Sequence, residues 1–280
     1  MIVTGKARVA GVLGWPVGHS KSPRLHGHWL ERYRIDGAYI PLPVMPEHFG
    51  AAVRALARLG FAGANVTVPH KEAALGAVDR AGANARRIGA VNTIVVAPDG
   101  TLDGSNTDGF GFIENLRQNA PGFGATFGPA VVLGAGGAAR AVVAALADAG
   151  APEIRVVNRS ALRAERLIEA LGGPCRLVPW AERAAALDGA VLLVNATTLG
   201  MTGQAALDLP LDRLPTGAVV NDIVYVPLET ALLVAARKRG NITVDGIGML
   251  LHQARPGFRA WFGVDPEVTP ALRGFVLADG

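Results

Sequence analysis

"VVLGAGGAARAVV", residues Val131 to Val143, is the stretch on which the reading of the fold turns. Val131, Val132 and Leu133 form a short apolar run of the kind that fills a buried strand. Gly134, Gly136 and Ala139 follow at G-x-G-x-x-A spacing, and the residues after them keep helical periodicity. In a strand–turn–helix unit of this kind the first glycine permits a tight turn and the second lets a pyrophosphate reach the backbone. The alanine lets the helix pack closely on the strand. The helix start also offers unpaired N–H groups and the positive end of its dipole. Gly134, Ala135, Gly136, Gly137 and Ala138 are therefore the candidate phosphate cradle of a dinucleotide. A purely structural glycine turn is the competing reading, and the surrounding strand and helix weigh against it.

The next strand, "EIRVVNR", ends about 20 residues further on, where the ribose contact of such a unit belongs. An acidic residue there would hold a 2′-hydroxyl, but this chain has Asn158, Arg159 and Ser160 instead. A guanidinium suits a 2′-phosphate, and the missing carboxylate removes a repulsion. Arg163 lies one helical turn beyond, on the same side. A solvated arginine at a strand end would be the plainer account. NADP is expected over NAD.

Outward from this centre the pattern of alternating strands and helices continues. "ALRAERLIEALG" is helical, "AVLLVNAT" and "AVVNDIV" are strands, and "LETALLVAARKRG", "NITVDG" and "MLLHQARPGFRAWFGV" read as helix, strand and helix. Toward the N-terminus, "ARVAGVLG" is a strand and "SPRLHGHWLERYRI" a helix with Ser22 at its cap and Pro23 in its first turn. "AYIPLPV" is extended, and "PEHFGAAVRALARLG" is an amphipathic helix closed by Gly60. "GANVTVP" and "AVNTIVVA" are strands separated by the helix start "HKEAALGAVD", and "PDG" is a turn. Strands alternating with helices predict a mostly parallel sheet with crossovers. The loop Ala120 to Gly128, rich in glycine and proline, is the best linker candidate between two α/β blocks.

Bulk properties bound the function. At 280 residues, with 50% hydrophobic and 18% charged, the chain is neither disordered nor fibrous, and its length fits two domains. The lone Cys175 cannot form an internal disulfide, which suits a reducing cytoplasm; nothing near it in sequence would activate it as a nucleophile. The N-terminus lacks the continuous apolar core of a signal peptide. The longest uncharged stretch around the middle, Gln118 to Ala139, is broken by Pro121, Pro129 and glycines, so it predicts no membrane span. The net charge is +4 and the pI about 9.6, yet the arginines alternate with acids, as in "LERYRID". That pattern predicts no nucleic-acid surface. No cluster of His, Cys and Asp shows metal-ligand spacing. His26 and His28, two apart on a helix, face different sides.

Against this background one lysine is conspicuous. Of the 27 Lys and Arg only four are lysines: Lys6, Lys21, Lys71 and Lys238. Arginine stays protonated in a protein, whereas an ammonium can release and regain its proton. Lys71, inside "NVTVPHKEAA", is thus either a chance usage or a residue needed for proton transfer.

Around it stand "GWPVGHSKSPRLH", "AVNTI" and "SNTDGFGF". With "GAGGAAR", "NRS", "NATTLGM" and "DGIGMLLHQ" they make the chain resemble the shikimate dehydrogenases, nearly end to end and in the same order. The resemblance implies an N-terminal α/β substrate domain, residues 1–108, completed by a returning C-terminal segment, 247–280. A Rossmann-type NADP-binding domain, 109–246, is inserted between them. It implies reversible hydride transfer between shikimate and NADP, giving 3-dehydroshikimate and NADPH, in a cytoplasmic monomer or homodimer. It assigns Ser20 and Ser22 to the substrate carboxylate. Helix capping would explain Ser22 but not Ser20. Thr67, Asn92 and Asp108 are assigned to ring hydroxyls, and Lys71 with Asp108 to the proton of the oxidised hydroxyl. Asp108 could also cap the helix "GFGFIENL". Tyr225 and Gln253 match further substrate contacts, and Ile223 and Gly246 match the nicotinamide surroundings. The chain departs from the family in having Gly27 after His26, where asparagine is common. A quinate/shikimate dehydrogenase with relaxed substrate or cofactor choice is the nearest alternative; a non-catalytic NADP-binding sensor is one of another class.

Overall fold

The computed structural model describes residues 3–278, and the chain divides into two compact units. One comprises Met1–Thr107 with Leu251–Gly280, the other Asp108–Leu250.

The first unit begins with β1 (Arg8–Gly14), α1 (Ser22–Arg32), β2 (Gly37–Pro43), α2 (Phe49–Arg58), β3 (Gly63–Val66) and α3 (Lys71–Ala77). It continues with β4 (Arg80–Ala81), α4 (Ala83–Ile88), β5 (Thr93–Val96) and β6 (Leu102–Ser105). The strands form one sheet in the order β2-β1-β3-β5-β6-β4. β1 runs parallel to both β2 and β3, but β5 is antiparallel to β3 and β6. The sheet is therefore mixed, where the sequence pattern predicts a mostly parallel one. The cause is a tight hairpin. Ala97 donates to the carbonyl of Thr101 at 2.9 Å, the Asp99 carboxylate accepts from the Thr101 N–H at 3.0 Å, and Gly100 takes a left-handed φ of +84°. "PDG" is legible as a turn, but "LDGS" after it lacks the β-branched residues that mark a strand.

A second difference concerns α1. Its N-cap is Lys21, and no side chain caps it; Ser22 is already helical, with its N–H bonded to the Ser20 hydroxyl at 3.3 Å. The Ser22 hydroxyl is therefore not used as a cap. Leu13, Phe49, Val53, Leu56, Val66 and Ile94 pack on one side of the sheet as a closed core.

The second unit opens with α5 (Asp108–Asn119), so the boundary falls before Asp108. Contrary to the linker expected at 120–128, that loop lies inside the unit: Ala120 is buried and Phe123 packs against the core. There follow β7 (Ala130–Leu133), α6 (Gly137–Asp148), β8 (Ile154–Asn158), α7 (Ala161–Leu171) and β9 (Cys175–Pro179). β10 (Leu192–Asn195), β11 (Val219–Asp222), α8 (Ala231–Lys238), β12 (Ile242–Val244) and α9 (Ile247–Phe262) complete it, with α9 running on into the first unit's residues. Every strand pair is parallel, in the order β12-β11-β10-β7-β8-β9. Apolar clusters cover both faces, one around Val132, Val142 and Val194, the other around Val131, Leu193 and Val220. Buried on both faces, these strands read as continuous apolar runs. Successive strands are added on one side of β7 (β8, β9) and then on the other (β10, β11, β12), and this reversal of strand order creates the switch point where doubly wound sheets bind ligands. α10 (Pro270–Leu277), capped by Thr269, returns to the first unit.

Candidate active site

In the second unit the glycine loop joins β7 to α6 at the switch point. Gly134 has φ +114°, and a Cβ there would lie 2.8 Å from the Ala196 carbonyl oxygen, so only glycine fits. Gly136 is different. Its backbone is extended, it caps α6 without any side-chain contact, and nothing stands within 4 Å of where its Cβ would be. The same holds for Gly137. The helix start is thus uncrowded where these two side chains would stand, as the approach of a pyrophosphate to its free N–H groups requires. Ala139 is fully buried, as close packing of helix on strand demands. At the end of β8 the Asn158 amide donates to the Ser160 carbonyl at 2.8 Å, which holds the turn carrying Arg159. Arg159, Ser160 and Arg163 are exposed, and no carboxylate occupies 158–160. These residues fit a phosphorylated dinucleotide.

The other strand ends of this unit meet beside the glycine loop. Ala196 N–H bonds to Leu133 O at 2.9 Å, and Ile223 N–H to Asn195 O at 3.0 Å. A Cβ on Gly246 would fall 2.2 Å from the Ile223 carbonyl, so Gly246 is held against Ile223 and must be glycine. Tyr225 follows in the same segment, and burial pushes its phenol up, which keeps it protonated as a donor. Asp108, buried, is the first residue of α5.

In the first unit the lysine sits at the first position of α3, after His70. Its carbonyl accepts from Val91 N–H at 2.9 Å, which seats Asn92 next to the start of α3. Val66 N–H bonds to Asn92 O at 2.8 Å, so Thr67 and Asn92 also neighbour each other. The Asn92 side chain, 2% exposed, spends both ends. Its oxygen accepts from Thr107 N–H at 2.9 Å and Thr93 Oγ1 at 3.0 Å, and its amide donates to Gln253 Oε1 at 3.3 Å. Thr107 Oγ1 donates to the Gln253 carbonyl at 2.8 Å, fastening α9 to this group. On the other side the Tyr39 hydroxyl donates to Asn65 Oδ1 at 2.6 Å, and the Asn65 amide reaches Asn92 O at 3.1 Å. Burial raises the Tyr39 phenol well above its usual range, and the adjoining Ser22 hydroxyl acts in the opposite direction. Ser20, Ser22, Asn92 and Gln253 thus join one polar network through Tyr39 and Asn65, and the backbone of Thr67 and Lys71 adjoins it. Asp108, Tyr225, Ile223 and Gly246 belong to the second unit. Tyr39, Asn65, Thr93 and Thr107 are not singled out by the sequence; Tyr39 lies in the extended "AYIPLPV", and the only signal of the other three is polarity inside "GANVTVP", "AVNTI" and "SNTDG". Among the described residues no group of three His, Cys, Asp or Glu could hold a metal ion, and no helix is long and apolar enough to cross a membrane.

Fold and site together define a class: a two-unit α/β chain whose second unit is a Rossmann-type dinucleotide fold. Family profiles narrow it. "Shikimate dehydrogenase substrate binding domain" matches residues 12–94, and "Shikimate / quinate 5-dehydrogenase" matches residues 125–202. A shikimate dehydrogenase (NADP(+)) of Paramagnetospirillum magneticum is 67% identical over 276 residues, 99% of this chain and all of that one. Among solved structures, the shikimate 5-dehydrogenase of Thermus thermophilus in complex with NADP(H) and shikimate superposes with a TM-score of 0.85. It is 40% identical and covers 97% of this chain and 98% of its own. The quinate dehydrogenase of Corynebacterium glutamicum in complex with NAD has a TM-score of 0.89 at 30% identity, covering 97% of this chain and 99% of its own. The chain belongs to the shikimate dehydrogenase family.

Proposed function

We propose that the chain catalyses the reversible, NADP-dependent interconversion of shikimate and 3-dehydroshikimate, with its first unit holding the substrate and its second holding NADP. Oxidising a secondary alcohol removes a hydride from carbon and a proton from oxygen. NADP, when bound, supplies the acceptor for the hydride. The chain must supply everything else.

The observation that carries this reading is the cluster at the start of α3. Lys71, one of three lysines in its unit, shares a backbone bond with the segment that leads through Asn92 into β5, and the Asn92 amide in turn meets Gln253. Lys71 and Asp108 act as one coupled proton-handling pair, an ammonium that can lose its proton and a carboxylate that can take one. Thr67, Asn92 and Asp108 orient the ring hydroxyls. Ser20 and Ser22 receive the carboxylate, a role supported by the Ser22 hydroxyl being unused as a helix cap. Tyr225 and Gln253 add donors to the substrate. Gly134 to Ala138 take the pyrophosphate, Asn158, Arg159, Ser160 and Arg163 the adenosine 2′-phosphate, and Ile223 and Gly246 border the nicotinamide. The enzyme works in the cytoplasm as a monomer or homodimer.

The test is absorbance at the reduced-nicotinamide band with shikimate or quinate, each paired with NADP or NAD. Shikimate with NADP is expected to give the fastest signal. Equal or faster turnover of quinate with NAD would replace this reading by the quinate one, for which the likeness to a quinate dehydrogenase is the motive. Silence in all four combinations would leave an NADP-binding sensor.

A further inference from the structure

Asp222, at the end of β11, is fully buried, and no step above uses it. Three donors converge on its carboxylate. Asn195 Nδ2 and Val224 N–H both reach Oδ1 at 3.0 Å, and Thr230 Oγ1 reaches Oδ2 at 2.7 Å. Burial pushes this carboxyl up, and the donors draw it back. Buried acceptors of this kind are costly unless fully paired, so a carboxylate here implies that all its donors need holding.

Each donor belongs to a different segment. Asn195 ends β10 and organises the loop behind it: its Oδ1 accepts from Thr197 N–H and Oγ1, and its amide also donates to Leu199 O. The next residue, Ala196, is the one whose carbonyl closes on Gly134. Val224 lies between Ile223 and Tyr225. Thr230 caps α8. The two carboxylate oxygens therefore divide their work: Oδ1 joins the loop beside the glycine turn to the Ile223–Tyr225 segment, while Oδ2 secures a helix start.

We propose that Asp222 is a positioning residue for hydride transfer, fixing Ile223 and Tyr225 relative to the Asn195–Met201 loop without itself touching substrate or cofactor. The inference rests on the proposed function, in which Ile223 borders the nicotinamide and Tyr225 the substrate. Hydride transfer depends steeply on geometry, since a misplacement of about 1 Å can cost about a hundredfold in rate. A scaffold residue would instead affect only folding.

The experiment compares the parent with Asp222→Ala, Asp222→Asn and Thr230→Val. It measures kcat, KM for shikimate and for NADP, melting temperature, and binding of adenosine 2′,5′-bisphosphate, a fragment that engages only the adenosine side. Asp222→Ala is expected to lose roughly tenfold or more in kcat and to raise KM for shikimate, with fragment binding unchanged. Asp222→Asn keeps an oxygen for Asn195 and Val224 and can donate to Thr230, so it should recover most of the kcat. Thr230→Val should melt lower yet turn over like the parent. Parental kcat and KM in Asp222→Ala overturn the proposal. If Asp222→Ala loses fragment binding as well, Asn195→Ala cuts the same link from the β10 side: a tenfold fall in kcat supports the proposal, and a parental kcat overturns it. A parent silent toward shikimate and NADP would sink the functional reading itself, which separates the two failures.

Discussion

Lys71 shows what a single side chain can be asked to do. Its carbonyl is tied to Val91 N–H, so the backbone holds the start of α3 against Asn92 whatever the side chain does. Lys71→Ala should therefore leave the fold and the substrate hydroxyl contacts in place. kcat is expected to fall by about 10²–10⁴-fold, the contribution of a positioned proton-transfer group, with little change in KM for shikimate. Steady-state absorbance assays decide it, and near-parental turnover would remove Lys71 from the chemistry. Arg159 poses the complementary question of cofactor choice. It is exposed at the end of β8, where water screens it, so the low end of the range for a charged hydrogen bond applies. Arg159→Ala should weaken NADP by about 1.5 kcal/mol, roughly tenfold in Kd, while NAD binding stays as it was. Calorimetry with both dinucleotides reads this, and an equal loss for NAD would mean that Arg159 does not meet the 2′-phosphate.

Among the elements, the turn between β7 and α6 separates two kinds of glycine. Gly134 is left-handed and its missing Cβ faces the Ala196 carbonyl at 2.8 Å, whereas Gly136 is extended and faces open space. Gly134→Ala should lower the melting temperature even without ligand. Gly136→Ala should melt like the parent yet bind NADP at least tenfold more weakly, because the methyl would occupy the approach of the pyrophosphate. Thermal melts with and without NADP distinguish the pair; an undisturbed NADP-induced stabilisation in Gly136→Ala would argue against this cradle. The sequence makes this turn legible because spacing and periodicity are local properties. β6 is another matter: "LDGS" has no alternation and becomes a strand only by pairing with β5 across the Gly100 turn. The network around Asn92 is similarly invisible. Its partners stand 26 positions apart for Tyr39 and Asn65 and 161 for Asn92 and Gln253, and no local pattern links such pairs. Resemblance names Asn92 and Gln253 as site residues; only the fold names Thr107, which joins them.

At the scale of the whole molecule, the first unit is assembled from both ends of the chain, and His26 lies where they meet. Its ring stacks on Tyr39 at 3.9 Å and 6°, with Trp29, Phe258 and Trp261 at 5.6–5.8 Å. It is fully buried, and among the described residues neither ring nitrogen has a hydrogen-bond partner. Burial lowers its pKa from 6.5 to about 3, and the nearby Asn65 side chain acts to a smaller extent in the opposite direction. Folded protein thus keeps His26 neutral where the unfolded chain would protonate it. Between pH 6.5 and about 3 the unfolded state binds the extra proton, so stability falls as pH falls through that window, by up to about 1.4 kcal/mol per pH unit. Above pH 6.5 the effect is absent. His26→Leu, close in volume and without ring nitrogens, should be at least as stable at pH 7 and should lose markedly less on acidification to pH 5. Urea unfolding followed by the fluorescence of Trp29 and Trp261 measures both slopes. Parallel slopes for parent and variant would show that the acid sensitivity of this unit comes from another group, and that the aromatic cage around His26 tolerates its charge.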